Sequence, residues 1–237
     1  MIKNYFFKLG TDQKYEASVS FKIVNSKTGD TILNPTIYLN DEIVTYTFAS
    51  NTYTIIVPIK GIFTIKITKE DYTDLENTYS FNTLKNASLS MVPIQTTGEM
   101  NIAVSWDHSQ KRDIDSHMCI NINGSKKYIY YSSSTYEDIN TKVSLDRDDT
   151  GQDTGENTTI TPVYPGYSYH FWLEDYGKEA DATGFADRAV TVTITYNNVT
   201  TSYTTPAGSK GKYWDIFTIT NGNVNLINTY TNTDPKD

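Results

Sequence analysis

This chain of 237 residues is poor in cysteine, in long apolar runs and in positive charge, and each shortage excludes a class of protein. Its one cysteine, Cys119, cannot form a disulfide within the chain, and the neighbouring Met118 and Ile120 predict a buried thiol. No apolar run is long enough to span a bilayer. Lysine and arginine number 20 against 28 acidic residues, and the net charge of −8 opposes binding to nucleic acid or anionic membranes.

The N-terminus also lacks the pattern of a secretory signal peptide. Residues 1–8, MIKNYFFK, are not followed by an apolar segment and a small-residue cleavage site. The sequence therefore predicts either a protein made without its own export signal or a mature fragment that has lost one.

The residues that are abundant indicate an all-β fold. Aromatic residues make up 13% of the chain, with 19 tyrosines, and Thr, Ile, Val and Asn recur throughout. Residues 17–24 alternate polar with apolar side chains, as a half-buried strand does. Turn residues separate the other strands predicted in the first half, which are 36–40, 43–48, 52–57, 62–68, 77–82 and 87–92. We expect a β-sandwich over residues 1–95.

The first half resembles the transthyretin-like or carboxypeptidase-regulatory-like modules of bacterial surface proteins. The resemblance is carried by ordered pieces: Lys27-Thr28-Gly29, Ile37-Tyr38-Leu39, Tyr53 to Pro58, Gly61 to Ile65, and Glu70-Asp71-Tyr72. It implies a prealbumin-like sandwich that spaces, stiffens or attaches larger assemblies.

Residues 93–98 predict a short boundary, followed by a second β-sandwich over 98–232 and a frayed tail at 233–237. Alternation over 189–196 predicts a strand buried on one face, which Asn197-Asn198 turns into a hairpin. Asn221-Gly222 predicts a second hairpin with a type I′ turn between 213–220 and 223–230.

The strongest chemical signal is an acidic, glycine-containing stretch over residues 145–156. Carboxylate oxygens at such short spacing suit Ca²⁺ better than Zn²⁺. An EF-hand loop counted from Asp146 would place Thr150 and Asn157 where acidic or amide ligands are needed, so that motif does not fit. A solvated acidic turn is the alternative. The candidate calcium ligands in the stretch are Asp146, Asp148, Asp149, Asp153 and Glu156.

Two more candidate ligands precede this stretch in the chain. If residues 113–118 are extended, Asp113, Asp115 and His117 share one face of the strand, while the intervening residues share the other. We expect Asp113 and Asp115 to contribute oxygens beside the acidic stretch.

The second half resembles the YfaP-like β-sandwich of bacterial surface and secreted proteins over about 98–228. The pieces that carry this resemblance are Val104-Ser105-Trp106, Asp113 to His117, Tyr130-Tyr131-Ser132, Leu145 to Thr150, Pro165-Gly166-Tyr167 and Tyr213 to Phe217. The family's proline near the acidic stretch is absent here. The resemblance implies an immunoglobulin-like sandwich with a structural cation and no established catalytic activity.

No common catalytic motif is present, neither a nucleophile elbow nor a phosphate loop nor a zinc-protease signature. The histidines are His108, His117 and His170. His117, beside Asp113 and Asp115, is the best candidate among them for a functional role, and we expect a structural or ligand-supporting hydrogen bond rather than general-base catalysis. The sequence favours a protein that is not an enzyme.

Aromatic side chains offer a second route to function. Trp106, Trp172 and Trp214, with tyrosines 128, 130 and 131, would form a stacking platform for a glycan if they were exposed. We expect the tryptophans to be core residues instead.

These features together predict a structural or adhesive protein, with other structural proteins as partners. A virion component of a phage, such as a capsid decoration or tail protein, fits best. The alternative is an exported bacterial adhesin or a carbohydrate-binding module. Neither reading includes nucleic-acid binding or membrane insertion.

Overall fold

The computed structural model describes residues 16–106, 113–150, 155–176, 185, 190–206 and 208–236. Nearly all the regular structure in these ranges is β, which confirms the predicted all-β sandwich class. The strands of the first half are β1 (Glu16–Asn25), β2 (Thr36–Leu39), β3 (Glu42–Ile43), β4 (Thr47–Ala49), β5 (Thr52–Pro58), β6 (Phe63–Thr68), β7 (Leu75–Tyr79) and β8 (Ser88–Met91). One helical turn, α1 (Phe81–Leu84), lies between β7 and β8.

The N-terminal region, residues 16–92, consists of two four-stranded sheets that enclose one apolar core. Their strand orders are β4-β5-β1-β8 and β3-β2-β6-β7, with β8 parallel to β1 and the other pairs antiparallel. Alternate side chains of β6 point inward, so that Phe63, Ile65 and Ile67 are buried against Phe21 and Ile23 of β1. The period-two pattern of the sequence is thus the pattern of burial.

Two strand predictions in this region are wrong in detail. Residues 43–48 form parts of two short strands, β3 and β4, on different sheets. Residues 77–82 leave the strand at Tyr79, because Ser80 caps α1: its hydroxyl accepts a hydrogen bond from Thr83 N, and Thr83 Oγ1 accepts one from Ser80 N.

The C-terminal region, residues 99–236, contains the other strands. They are β9 (Met100–Ser105), β10 (Asp113–Ile122), β11 (Ser125–Ile129), β12 (Thr135–Glu137), β13 (Lys142–Arg147), β14 (Glu156–Thr161), β15 (Ser168–Tyr176), β16 (Thr191–Tyr196), β17 (Val199–Thr204), β18 (Tyr213–Thr220) and β19 (Asn223–Thr231). They pair as a five-stranded sheet, β11-β10-β15-β18-β19, and a six-stranded sheet, β12-β13-β14-β9-β16-β17.

A larger core lies between these two sheets. Trp106 and Trp214 are buried in it, and Phe171 stacks on Phe217 with ring centroids 5.3 Å apart. The five-stranded sheet contributes residues such as Ile114 and Met118. The six-stranded sheet contributes residues such as Ile102, Val104 and Val192.

The predicted hairpins are present, and one burial prediction is wrong. Asn221 and Gly222 have φ of 52° and 74°, as the type I′ turn requires. Strand β16, however, is buried on both faces. Its threonines are covered because their hydroxyls form hydrogen bonds with hydroxyls of β17. Gln95 also contacts this strand, since its Nε2 donates to Thr195 O.

Side-chain hydrogen bonds join the two regions across the connecting segment. Arg147 Nη1 donates to Asn25 O at 2.8 Å, and Lys27 Nζ lies 2.7 Å from Glu99 Oε1. Gly98 has a φ of 80°, and a Cβ there would lie 3.0 Å from the Cβ of Pro162. The division into modules at residues 95 and 98 stays a prediction. Among the described residues, no helix has the length and apolar character needed to cross a bilayer.

Candidate metal centre

Strand β10 places the predicted acidic residues on one face, as the alternation predicts. It pairs antiparallel with β15, with Asp115 opposite Glu174 and His117 opposite Trp172. Ile114 and Met118 point the other way, into the core. Their burial fixes the register, because a shift by one residue would place the carboxylates of Asp113 and Asp115 in the core.

The acidic stretch is a hairpin rather than one long loop. Leu145, Asp146 and Arg147 belong to β13, and Glu156 begins β14. The reason lies at Gly155, which has a φ of 73° and passes so close to β9 that a Cβ would lie 2.2 Å from Val104 O. Only glycine fits, and this approach sets the point at which β14 begins.

The side chain of Glu156 extends from one sheet to the other, and the residue is fully buried. Its backbone is in the six-stranded sheet, and its Oε2 accepts a hydrogen bond of 2.6 Å from Ser116 N in the five-stranded sheet. The other oxygen, Oε1, is shielded from solvent and has no hydrogen-bond partner among the described residues. An unpaired buried carboxylate oxygen is destabilising, because burial removes its hydrogen bonds to water.

Two more carboxylates lie close to the carboxylate of Glu156. Asp113, Asp115 and Glu156 each offer an oxygen atom within 4.8 Å of those of the other two. Asp115 is 5% exposed, and its carboxylate accepts no hydrogen bond from the described part of the chain. Like charges are therefore crowded in a place that water barely reaches.

The pKa values of all three carboxylates are raised above their ordinary values. Burial, with the charges of Asp148 and Asp149, raises the pKa of Asp113 to about 6. Burial and the charge of Asp113 raise the pKa of Asp115 to about 7. Burial also raises the pKa of Glu156 well above its ordinary value. A bound cation would relieve all three shifts, because it favours the ionised form.

Three of the remaining predicted ligands are among the described residues, and none of them belongs to this triad. Asp146 is bound elsewhere: Asn157 Nδ2 donates to its Oδ2 at 2.8 Å, and Thr159 Oγ1 donates to the same atom. Asp149 is buried, and its Oδ2 accepts from Gly155 N at 2.6 Å. Asp148 is exposed, and its charge acts on all three clustered carboxylates. Asp153 lies outside the described residues.

Arg147 connects this hairpin to the N-terminal region. Its Nε donates to Gly155 O at 2.5 Å, its Nη1 to Asn25 O, and its Nη2 to Ser90 Oγ at 3.4 Å. One guanidinium thus binds both the backbone before Glu156 and, in the N-terminal region, the end of β1 and strand β8. The sequence gives no signal for this role, because the partners are 57 and 122 residues away.

The three tryptophans do not form a stacking platform on the surface. Trp106, Trp172 and Trp214 are at most 2% exposed, which confirms their prediction as core residues. Tyr131 is 56% exposed and contacts Tyr130 edge to face. His108 falls outside the described residues, and His170 Nε2 lies 2.7 Å from Asp215 Oδ1.

Comparison with known proteins adds little to this geometry. No protein-family model matches the chain, and no curated protein matches it significantly. Three chains of solved structures match it. One of them, a crystal structure described as the unknown-function protein SAV2460, is 13% identical, covers 60% of this chain and 94% of its own, and has a TM-score of 0.46.

Proposed function

We propose that this chain is a structural protein without catalytic activity, in which Ca²⁺ bound by Asp113, Asp115 and Glu156 stabilises the C-terminal sandwich. One observation carries the proposal. Glu156 is completely buried, and its Oε1, which has no partner among the described residues, belongs to a carboxylate triad whose oxygens lie within 4.8 Å of each other.

The ligand set supports calcium as the ion. All three side chains supply hard oxygen atoms, which Ca²⁺ prefers, and Asp148 adds a further negative charge beside them. Asp115 and Glu156 have few protein hydrogen bonds to give up, so their oxygens are available. Water would complete the coordination, since Ca²⁺ takes six to eight oxygens.

The position of the site supports a mechanical role. Asp113 and Asp115 belong to the five-stranded sheet and Glu156 to the six-stranded sheet, so one ion would tie the two sheets together. Glu156 directly follows Gly155, whose carbonyl is bound by Arg147, and Arg147 reaches the N-terminal region. Calcium would therefore also stiffen the junction, which suits a spacer or attachment protein.

We propose a multi-protein assembly as the setting, a phage virion first and a bacterial cell surface second. The support is the resemblance of both halves to surface-protein sandwiches, together with the hydrogen-bonded junction. Co-purification of the protein with virus particles would support the first setting. Binding to cells or matrix by the isolated protein would favour the second.

Calorimetric titration of the chelator-treated full chain with Ca²⁺ tests the metal proposal. We expect Glu156→Gln to weaken binding by about tenfold or more, since outer ligand-supporting groups alone contribute 10–100-fold. Asp146→Asn is the matched control, because it removes the same charge from the same hairpin while an amide oxygen still accepts the bonds from Asn157 and Thr159. Equal binding by wild type and Glu156→Gln, or no binding heat at all, would contradict the proposal.

A further inference from the structure

A second cluster lies farther along the same face of the five-stranded sheet. Asp115, His117 and Glu174 each offer a ligand atom, and these atoms lie within 4.8 Å of one another. Asp115 and His117 are two residues apart on β10, and Glu174 is opposite Asp115 on β15. The pairing register therefore brings together a nitrogen and two carboxylates that the sequence separates by 57 residues.

The histidine in this cluster is held in a fixed orientation. Its ring stacks on Trp172, with centroids 5.4 Å apart and planes 8° apart, and on Tyr130 at 6.1 Å and 15°. His117 Nε2 is shielded from solvent and lies 3.3 Å from Glu174 Oε2, without the alignment of a hydrogen bond. Rings on both sides leave this nitrogen little freedom to turn toward another partner.

The carboxylates of Glu174 and Asp115 have different surroundings. Lys212 Nζ lies 2.6 Å from Glu174 Oε1, which leaves Oε2 facing His117. Asp115 is 5% exposed, and its carboxylate accepts no hydrogen bond from the described residues.

The spacing of the ligand atoms matches a small ion. Two atoms bound about 2.0–2.1 Å from a tetrahedral zinc ion lie about 3.3 Å from each other. That is the separation of His117 Nε2 and Glu174 Oε2. Imidazole is a ligand that transition metals accept readily and Ca²⁺ rarely does, so this cluster differs in chemistry from the oxygen-only triad.

We propose that Asp115, His117 and Glu174 form a second metal site, which binds a divalent transition ion of the Zn²⁺ class with water in the remaining position. The site shares Asp115 with the calcium triad, but it does not depend on calcium binding. A single chain would then hold a hard and a borderline cation next to each other beside β10, with Asp115 available to both.

Cobalt spectroscopy on the chelator-treated full chain tests this proposal, because Co²⁺ in a tetrahedral site with a nitrogen ligand absorbs visible light and Ca²⁺ does not. We expect a saturable absorption band that Zn²⁺ displaces. Both His117→Gln and Glu174→Gln should abolish the band or weaken binding at least about tenfold. Glutamine at 174 still accepts the bond from Lys212, so a fold defect is less expected there than at 117.

His170→Gln is the matched control. His170 also lies on the five-stranded sheet, contacts Trp172 at 5.1 Å and pairs with a carboxylate, Asp215, at 2.7 Å, but it belongs to no three-ligand cluster among the described residues. We expect this variant to keep the cobalt band. Loss of the band in His170→Gln, its retention in Glu174→Gln, or its absence in the wild type would overturn the proposal.

Glu156→Gln separates the two sites. Glu156→Gln should leave the cobalt band intact and weaken calcium binding. Glu174→Gln should remove or weaken the cobalt band and leave calcium binding unchanged. A cobalt band without calcium binding would support the transition-metal site and contradict the calcium proposal, so failure of one is distinguishable from failure of the other.

Discussion

The two regions of this protein enclose cores of the same kind but differ in the charge that they bury. In the N-terminal region, the buried polar side chains among the described residues are serines: Ser26, Ser88 and Ser90. The described part of the C-terminal region buries five carboxylates, which are Glu99, Asp115, Asp149, Glu156 and Asp175. A sandwich of this class folds without such groups, as the first region shows, so their presence in the second indicates a function.

The buried carboxylates of the C-terminal region also differ in their partners. Glu99 has Lys27, and Asp149 has the backbone of Gly155. In the triad, Asp113 Oδ1 and Glu156 Oε1 are shielded from solvent and have no hydrogen-bond partner among the described residues. The uncompensated charge is thus concentrated at one end of one sandwich, and this is where we propose that cations bind.

Core truncation should produce the largest effect and should show whether the regions unfold independently. We expect Phe21→Ala and Phe171→Ala each to lower the free energy of unfolding by about 3–5 kcal/mol, because both rings are buried in well-packed cores. Each variant should affect one of two transitions in scanning calorimetry. A single transition that shifts equally in both variants would mean that the two regions unfold as one unit.

Gly155→Ala should have the next largest effect, and only in the C-terminal region. Its Cβ would lie 2.2 Å from Val104 O, so β14 would have to move away from β9, and we expect a loss of about 2–3 kcal/mol. Gly124→Ala is the control, because Gly124 also has a positive φ, of 90°, but nothing within 4 Å of its Cβ. Urea denaturation should show a smaller loss there. Equal losses would mean that backbone strain alone is responsible.

Arg147→Lys should loosen the connection between the regions by about 1–2 kcal/mol. Lysine keeps the charge beside Asp149 and Glu156 but cannot donate to Gly155, Asn25 and Ser90 together. We expect the two calorimetric transitions to move apart. Lys142→Ala, which removes an exposed ion pair with Glu137, should change stability by less than about 0.5 kcal/mol. If the arginine variant behaves like this control, the junction does not depend on Arg147.

The smallest effect concerns pH and should differ in sign with and without calcium. Folding raises the pKa values of Asp113 and Asp115 to about 6 and about 7, so the folded state binds more protons than the unfolded state between about pH 4 and 7. Without calcium, stability from these groups is present at low pH and is lost as pH rises through these values.

Calcium should reverse this dependence, because protons compete with the ion for the same oxygens. In chelator, the unfolding temperature of the C-terminal transition should rise by roughly 2–4 °C between about pH 8 and about pH 5.5, as expected for about 1 kcal/mol. In excess calcium it should fall over the same range. Identical trends under both conditions would argue against a metal at these carboxylates.

Local sequence patterns predicted the parts of this structure that depend on neighbouring residues. The turn at Asn221-Gly222 follows from residues that tolerate positive φ, and the shared face of Asp113, Asp115 and His117 follows from strand alternation. The helical turn after Tyr79 was missed because the cap at Ser80 overrides the alternation.

Distant pairings could not be predicted in this way. The bond between Ser116 N and Glu156 spans two sheets, and Glu174 meets His117 only through the register of β10 and β15. The acidic composition likewise predicted Asp146 as a ligand, but its carboxylate already accepts hydrogen bonds from Asn157 and Thr159. A count of acidic residues pointed to this hairpin, whereas the tertiary structure shows which carboxylates lie close together.

Scanning calorimetry of the full chain in excess calcium and in excess chelator tests the central claim most directly. We predict that calcium raises the unfolding temperature of the C-terminal transition, leaves the N-terminal transition unchanged, and has no such effect on Glu156→Gln. An unchanged C-terminal transition in the wild type, or an equal shift in Glu156→Gln, would contradict the claim that the buried carboxylate triad is a calcium site.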